Sequence, residues 1–170
     1  MCHIKFDYYL KTSAIFFHSN YKKRLQFIKK KKFLFDEISN FINNCIDNSK
    51  DVFIFCAGNS VIGKNIKSKK TYIKEISKEY QIKYHPNIEY VEENPKNELK
   101  NCDTVIIADI EHQLNLTSNL LNLSKKINDD AKIIIFSKNM VWIILLKILK
   151  FFLNFSPNKT NFLPSYYLEN

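Results

Sequence analysis

The sequence predicts an α/β fold built on a doubly wound, mostly parallel sheet of about five strands, and three observations predict it. Short apolar runs without polar alternation recur through the middle of the chain, as in strands buried on both faces. Helical stretches separate several of these runs, which is the pattern of parallel crossover units. The chain has 170 residues, 45% hydrophobic and 25% charged, the size and composition of one globular domain with a single core.

The elements follow in order. Residues 1–50 read as helical, with Phe16, Phe17, Tyr21, Leu25, Ile28 and then Phe33, Leu34, Ile38, Phe41, Ile42, Cys45 at spacings of three and four. Lys29 to Lys32 lies between the two sets, as a polar face or a break between two helices. Asn43 to Lys50, with Asp47, Asn48 and Ser49, is a turn cluster. Four apolar runs are predicted strands: Asp51 to Cys56, Thr71 to Glu75, Thr104 to Ala108 and Lys132 to Phe136. Ile88 to Val91 is a weaker fifth. The clearest helix between strands runs from Leu114 to Ile127, with leucines at 116, 120, 121 and 123. Met140 to Phe155 is the most apolar segment, but its sixteen residues include Lys147 and Lys150. It is too short and too charged to span a bilayer comfortably, so it is expected to pack on the sheet. The alternative is a peripheral membrane contact, with this helix lying in the interface.

The formal net charge of +9 raises nucleic acid and anionic membranes as partners. Arg24 is the single arginine, however, and bidentate recognition of guanine or phosphate favours arginine. No nucleic-acid partner is expected, and most lysines read as solvated surface. The cysteines Cys2, Cys45, Cys56 and Cys102 show no paired spacing and no histidine at ligand distance, so no metal site is expected. Met1 to Leu10 carries charge and tyrosines where a secretory signal would be apolar. Reduced thiols in a cytoplasmic protein are the expectation.

Doubly wound sheets bind ligands beyond the carboxyl ends of their strands. After the first strand comes Cys56-Ala57-Gly58-Asn59-Ser60, a small-residue turn leading into a short helical stretch, Val61 to Ile66, that would offer backbone amides. Gly58 and Gly63 are the two glycines of the chain, so few positions suit a close backbone approach. The second strand ends at Glu75, nineteen residues after Cys56. A carboxylate there can accept hydrogen bonds from the ribose hydroxyls of an adenosine moiety.

On these residues the segment from Asp51 to Asn139 resembles the Rossmann-like core of class I S-adenosylmethionine-dependent methyltransferases, in particular the type 11 branch. Phe53-Ile54-Phe55-Cys56-Ala57-Gly58-Asn59-Ser60 is similar to the family's first strand and G-x-G-x-G loop. Gly58 falls on the central glycine, Cys56 and Ser60 replace the outer two, and Ile54 stands where the family prefers an acidic residue. Tyr72-Ile73-Lys74-Glu75-Ile76-Ser77 resembles the second-strand G-x-D-I-S stretch, and Glu93 or Asn94 falls where the family has an acidic residue near the adenine. Cys102-Asp103-Thr104-Val105-Ile106-Ile107-Ala108-Asp109 resembles the F-D-x-V-I fourth strand. The segment 109–114 then matches the loop beneath the cofactor's methionine end. The N-terminal region with Tyr8 and Tyr9 resembles the family's lid. Asn139 and Trp142, and Asn161-Phe162-Leu163-Pro164, resemble its N-x-x-W and N-W-L-S-P stretches.

The resemblance implies S-adenosyl-L-methionine as cofactor, held by Cys56, Ala57, Gly58, Asn59, Glu75, Ile76, Glu93, Asn94 and Asp109. It implies methyl transfer to a small-molecule acceptor such as a sugar or a lipid-linked intermediate, with Asp109 and His112 as candidate bases after the fourth strand. One domain is expected: a helical region over 1–50, a cofactor-binding core over 51–139, and a helix and tail over 140–170. Relative to the family the sequence stops at Asn170, before its last helix and hairpin, so the expected strand order is 3-2-1-4-5. The fifth strand is then an edge to be covered by the tail 156–170 or by another copy of the chain. Two rival readings remain. A catalytically inactive methyltransferase-like binding or scaffolding domain is favoured by the altered loop. A dinucleotide-dependent oxidoreductase is disfavoured, because the fingerprint's third glycine, needed for close helix-to-strand packing, has no counterpart.

Overall fold

The computed structural model describes residues 21–56, 60–75, 81, 85–91, 95–108, 110 and 115–136. Helices α1 (Tyr21–Lys30) and α2 (Lys32–Cys45) precede strand β1 (Asp51–Cys56) and a 3-10 helix (Ser60–Asn65). Then come β2 (Lys70–Glu75), β3 (Ile88–Tyr90), α3 (Lys96–Asn101), β4 (Thr104–Ile107), α4 (Leu116–Ser124) and β5 (Lys132–Ile135). The sheet order is β3-β2-β1-β4-β5, and every neighbouring pair is parallel. This is the predicted Rossmann-like α/β architecture.

The lysine run does separate two helices. Lys31 leaves helical geometry at φ −111° and ψ 29°, and the chain restarts at Lys32. Between α2 and β1, the Asp47 carboxylate accepts the Ser49 backbone N–H at 2.9 Å and its hydroxyl at 2.8 Å. Those two donors, the amide foremost, hold Asp47 below the usual carboxylate range. The turn cluster read from the sequence is therefore a side-chain-closed turn.

Strand alternation divides the core into two compartments. Val52, Ile54 and Cys56 of β1 join Ile73, Ile106 and Ala108 on one face, under Phe35 and Ile42 of α2 and Ile62 of the 3-10 helix. Phe53 and Phe55 join Val105 and Ile107 on the other, under Leu99 of α3 and Leu123 of α4. All five residues from Val52 to Cys56 are completely buried, which explains why this strand shows no polar alternation. Burying each large apolar side chain contributes roughly 1.5–3 kcal/mol, so β1 is the largest local source of stability in the sheet.

Two contacts bring the 3-10 helix down onto the sheet. Ser39, fully buried in mid-helix, has its hydroxyl 2.8 Å from Phe35 O and 3.1 Å from Ile62 O, so its one proton is shared between its own helix and the 3-10 helix. A Cβ on Gly63 would stand 2.6 Å from Ile73 Cδ1 and 3.5 Å from Ile54 Cδ1. Gly63 is thus the glycine that permits close helix-to-strand packing. It lies two residues beyond Val61, the third-glycine position of the fingerprint. The fingerprint's third-glycine position itself holds Val61, and Gly63 gives this helix its close seat from a different position.

At the edges the burial falls away. Lys132 and Ile133 of β5 are exposed, and β3 is three residues long. On the β3 side Lys70 pairs with Glu89 and lies 4.7 Å over the Tyr72 ring. The Glu89 carboxylate first, then Tyr72, raises the Lys70 ammonium above its ordinary value. Among the described residues no helix is long and apolar enough to cross a membrane. The segment 140–155, for which sheet packing or an interfacial position is expected, and Tyr8 and Tyr9, for which a lid is expected, lie outside the described residues.

Candidate functional site

The carboxyl ends of β1 and β2 define the candidate cofactor site. Parallel register pairs Cys56 with Glu75, so the last residues of the two strands stand side by side. Both point to the compartment beneath the 3-10 helix: Cys56 continues the Val52–Ile54 row and Glu75 continues the Thr71–Ile73 row. The Cys56 thiol donates to Glu75 Oε2 at 3.2 Å, with Lys74 O a more distant acceptor at 3.9 Å. The backbone N–H of Ser60 donates to the same carboxylate oxygen at 3.3 Å.

Glu75 is therefore a half-buried carboxylate at the amino end of the 3-10 helix, accepting one of the amides that such an end leaves without a helical partner. Charge-assisted bonds of this kind fix the carboxylate's position. They also give Glu75 a structural task, anchoring the loop that leaves β1 to the end of β2.

On the β4 side, Ala108 N–H donates to Phe55 O at 2.9 Å and Phe136 N–H to Ile107 O at 2.9 Å. These bonds extend the ladder past the strand ends, and Ala108 and Ile110 are buried. The chain on either side of Asp109 is thereby held at the same sheet edge as Cys56 and Glu75.

Of the site residues expected from the sequence, the structure brings together Cys56 and Glu75. Ala57, Gly58, Asn59, Ile76, Glu93, Asn94, Asp109 and His112 lie outside the described residues. Ser60, absent from that set, joins the pair through its backbone amide, a contact that no residue-type pattern reveals.

Of the other described thiols, Cys45 is half-buried and Cys102 is 1% exposed. Burial, reinforced by Asp51, Asp103 and Glu98, pushes the Cys102 thiol up to about 12, so it stays protonated and inert. Among the described residues, no three His, Cys, Asp or Glu side chains cluster closely enough to hold a metal ion.

No protein-family model, curated protein or solved structure matches the chain.

Proposed function

We propose that the chain binds S-adenosyl-L-methionine at the carboxyl edge of β1 and β2 and transfers its methyl group to a small-molecule acceptor. The observation that carries this reading is the placement of Glu75. It ends the strand next to β1, shares its face with Cys56, and has its carboxylate anchored by the Cys56 thiol and the Ser60 amide. A carboxylate fixed there suits a ribose diol, and the loop after β1 suits the rest of the adenosyl group. The resemblance of 51–139 to class I methyltransferases supports the choice of cofactor.

Methyl transfer from a sulfonium requires little more than alignment of the acceptor with the methyl–sulfur axis and exclusion of water. Where the acceptor is a hydroxyl or an amine, Asp109 or His112 is the proposed base. The lost proton passes to that side chain as the acceptor heteroatom takes the methyl, and the sulfonium leaves as a neutral thioether.

One contact favours a second reading, a binding or scaffolding domain without turnover. The Cys56 side chain lies against Glu75 where an outer glycine would leave bare backbone. Calorimetric titration with S-adenosylmethionine, S-adenosylhomocysteine and NAD separates the possibilities. Adenosylhomocysteine binding that disappears in Glu75→Ala is the expected result. Binding without methyl transfer to any acceptor selects the second reading, and NAD as the sole ligand selects an oxidoreductase.

A further inference from the structure

The α1–α2 junction carries side chains for which cofactor binding has no use. From Lys22 to Phe35 there is no acidic residue, while Lys22, Lys23, Lys29, Lys30, Lys31 and Lys32 are all exposed. Within this cationic stretch Phe27, Phe33 and Leu34 are 46%, 66% and 43% exposed. Lys31 Nζ lies 6.0 Å from the Phe33 ring centre, so charge and aromatic surface are interleaved. The acidic group nearest in sequence, Asp36, makes a 4.0 Å pair with an 81% exposed Lys32, too loose to neutralise the patch. Solvated lysines account for the charge but not for three large apolar side chains among them.

The junction also has a defined position. Lys132, at the amino end of β5, donates to Cys45 O at the end of α2. Phe41, one turn earlier in α2, packs at 6.3 Å on Phe136, just past the carboxyl end of β5. Helix α2 therefore runs antiparallel to the strands, and its amino end points past their carboxyl edge. Phe33 precedes Phe41 by eight residues, on the order of 10 Å along the helix axis. The basic, aromatic junction stands at the same end of the fold as Cys56 and Glu75.

We infer that the α1–α2 junction docks on the surface of an anionic phospholipid bilayer. The lysines lie over the headgroups, Phe33 and Leu34 enter the interface, and the carboxyl edge of the sheet faces the membrane. Lysines act as hydrated point charges, which suits a diffuse layer of lipid phosphates better than fixed bidentate recognition. Leu34 offers no stacking face for a base, which disfavours single-stranded nucleic acid.

The test is cosedimentation of the whole chain with vesicles of phosphatidylcholine, with and without about one-third phosphatidylglycerol, at low and high salt. Binding is expected to require the anionic lipid and to weaken with salt. Replacing Lys29, Lys30, Lys31 and Lys32 together by Gln should cut partitioning by about tenfold or more. Phe33→Ser with Leu34→Ser should cut it by about tenfold while leaving the salt dependence in place. All six positions are exposed, and unchanged circular dichroism and melting establish that the variants fold. Three results overturn the inference: no partitioning of the natural chain, partitioning that neither set of substitutions diminishes, or lysine-dependent binding to an oligonucleotide with none to vesicles. None of these depends on whether an adenosyl ligand binds.

Discussion

Glu75 and Cys56 close β2 and β1 side by side, joined by a thiol–carboxylate hydrogen bond of 3.2 Å, and the same carboxylate oxygen accepts the Ser60 amide. Glu75 therefore anchors the loop, and under the proposed function the same carboxylate also meets the ligand. Glu75→Ala removes both. Its urea midpoint should fall by the equivalent of about 1–2 kcal/mol, because a buried donor loses its acceptor. Adenosylhomocysteine affinity should drop by about tenfold or more if the carboxylate contacts the ribose. A fall in stability with unchanged affinity assigns Glu75 to the anchoring role alone.

The thiol is tested by pairing Cys56→Ser with Cys56→Val. Serine keeps a donor toward Glu75 and should hold stability within about 1 kcal/mol of the natural chain. Valine keeps the bulk and lacks the donor. Ligand affinity retained in the serine variant and weakened in the valine variant shows that Cys56 acts through Glu75. Equal weakening in both shows that it acts by shape.

Gly63→Ala places a methyl 2.6 Å from Ile73 Cδ1 in a fully buried pocket. Overpacking costs about 1–3 kcal/mol, and the lower entropy of the unfolded chain offsets about 0.4–1 of it. A net loss of about 1 kcal/mol is expected by equilibrium unfolding, with a larger loss for Gly63→Val. An alanine variant more stable than the natural chain would mean that Ile73 moves aside freely.

Cys102 provides the pH prediction. Its thiol, near 9.0 when unperturbed, is pushed up to about 12 in the fold. Above pH 9 the unfolded chain releases this proton and the folded chain keeps it, so the unfolded state binds fewer protons and stability falls as pH rises. The contribution is complete below pH 9 and declines towards about 12, at up to about 1.4 kcal/mol per pH unit. Unfolding of the natural chain and of Cys102→Ala between pH 8.5 and about 10 should diverge by this slope. Parallel pH profiles would show that Cys102 ionises equally in both states.

The strands were readable because burial on two faces writes itself into consecutive apolar residues, as in Val52 to Phe55. Helix α3 was not, since six residues with one buried leucine, Leu99, make too little of a period to detect. The stretch after β1 was expected as a helix over 61–66 and is a 3-10 helix over 60–65. It seats closely on the sheet at Gly63, a tertiary contact that local spacing does not carry. In the site, the Cys56–Glu75 pairing followed from strand order and the strand-end positions. The anchoring of Glu75 did not, because a main-chain amide has no letter in the sequence. The packing role of Gly63 was hidden by its offset from the motif.

Aromatic and aliphatic side chains are sorted to opposite sides of β1, with Phe53 and Phe55 under α3 and α4 and the smaller Val52, Ile54 and Cys56 beneath a helix seated closely on the sheet at Gly63. Sliding this strand by a single position would force two benzene rings into the narrower space. Volume, and not polarity, is what forbids that slip in a strand with no wet side. The alignment of the first strand against its neighbours, and with it the meeting of the two strand ends, is enforced from the middle of the protein outward.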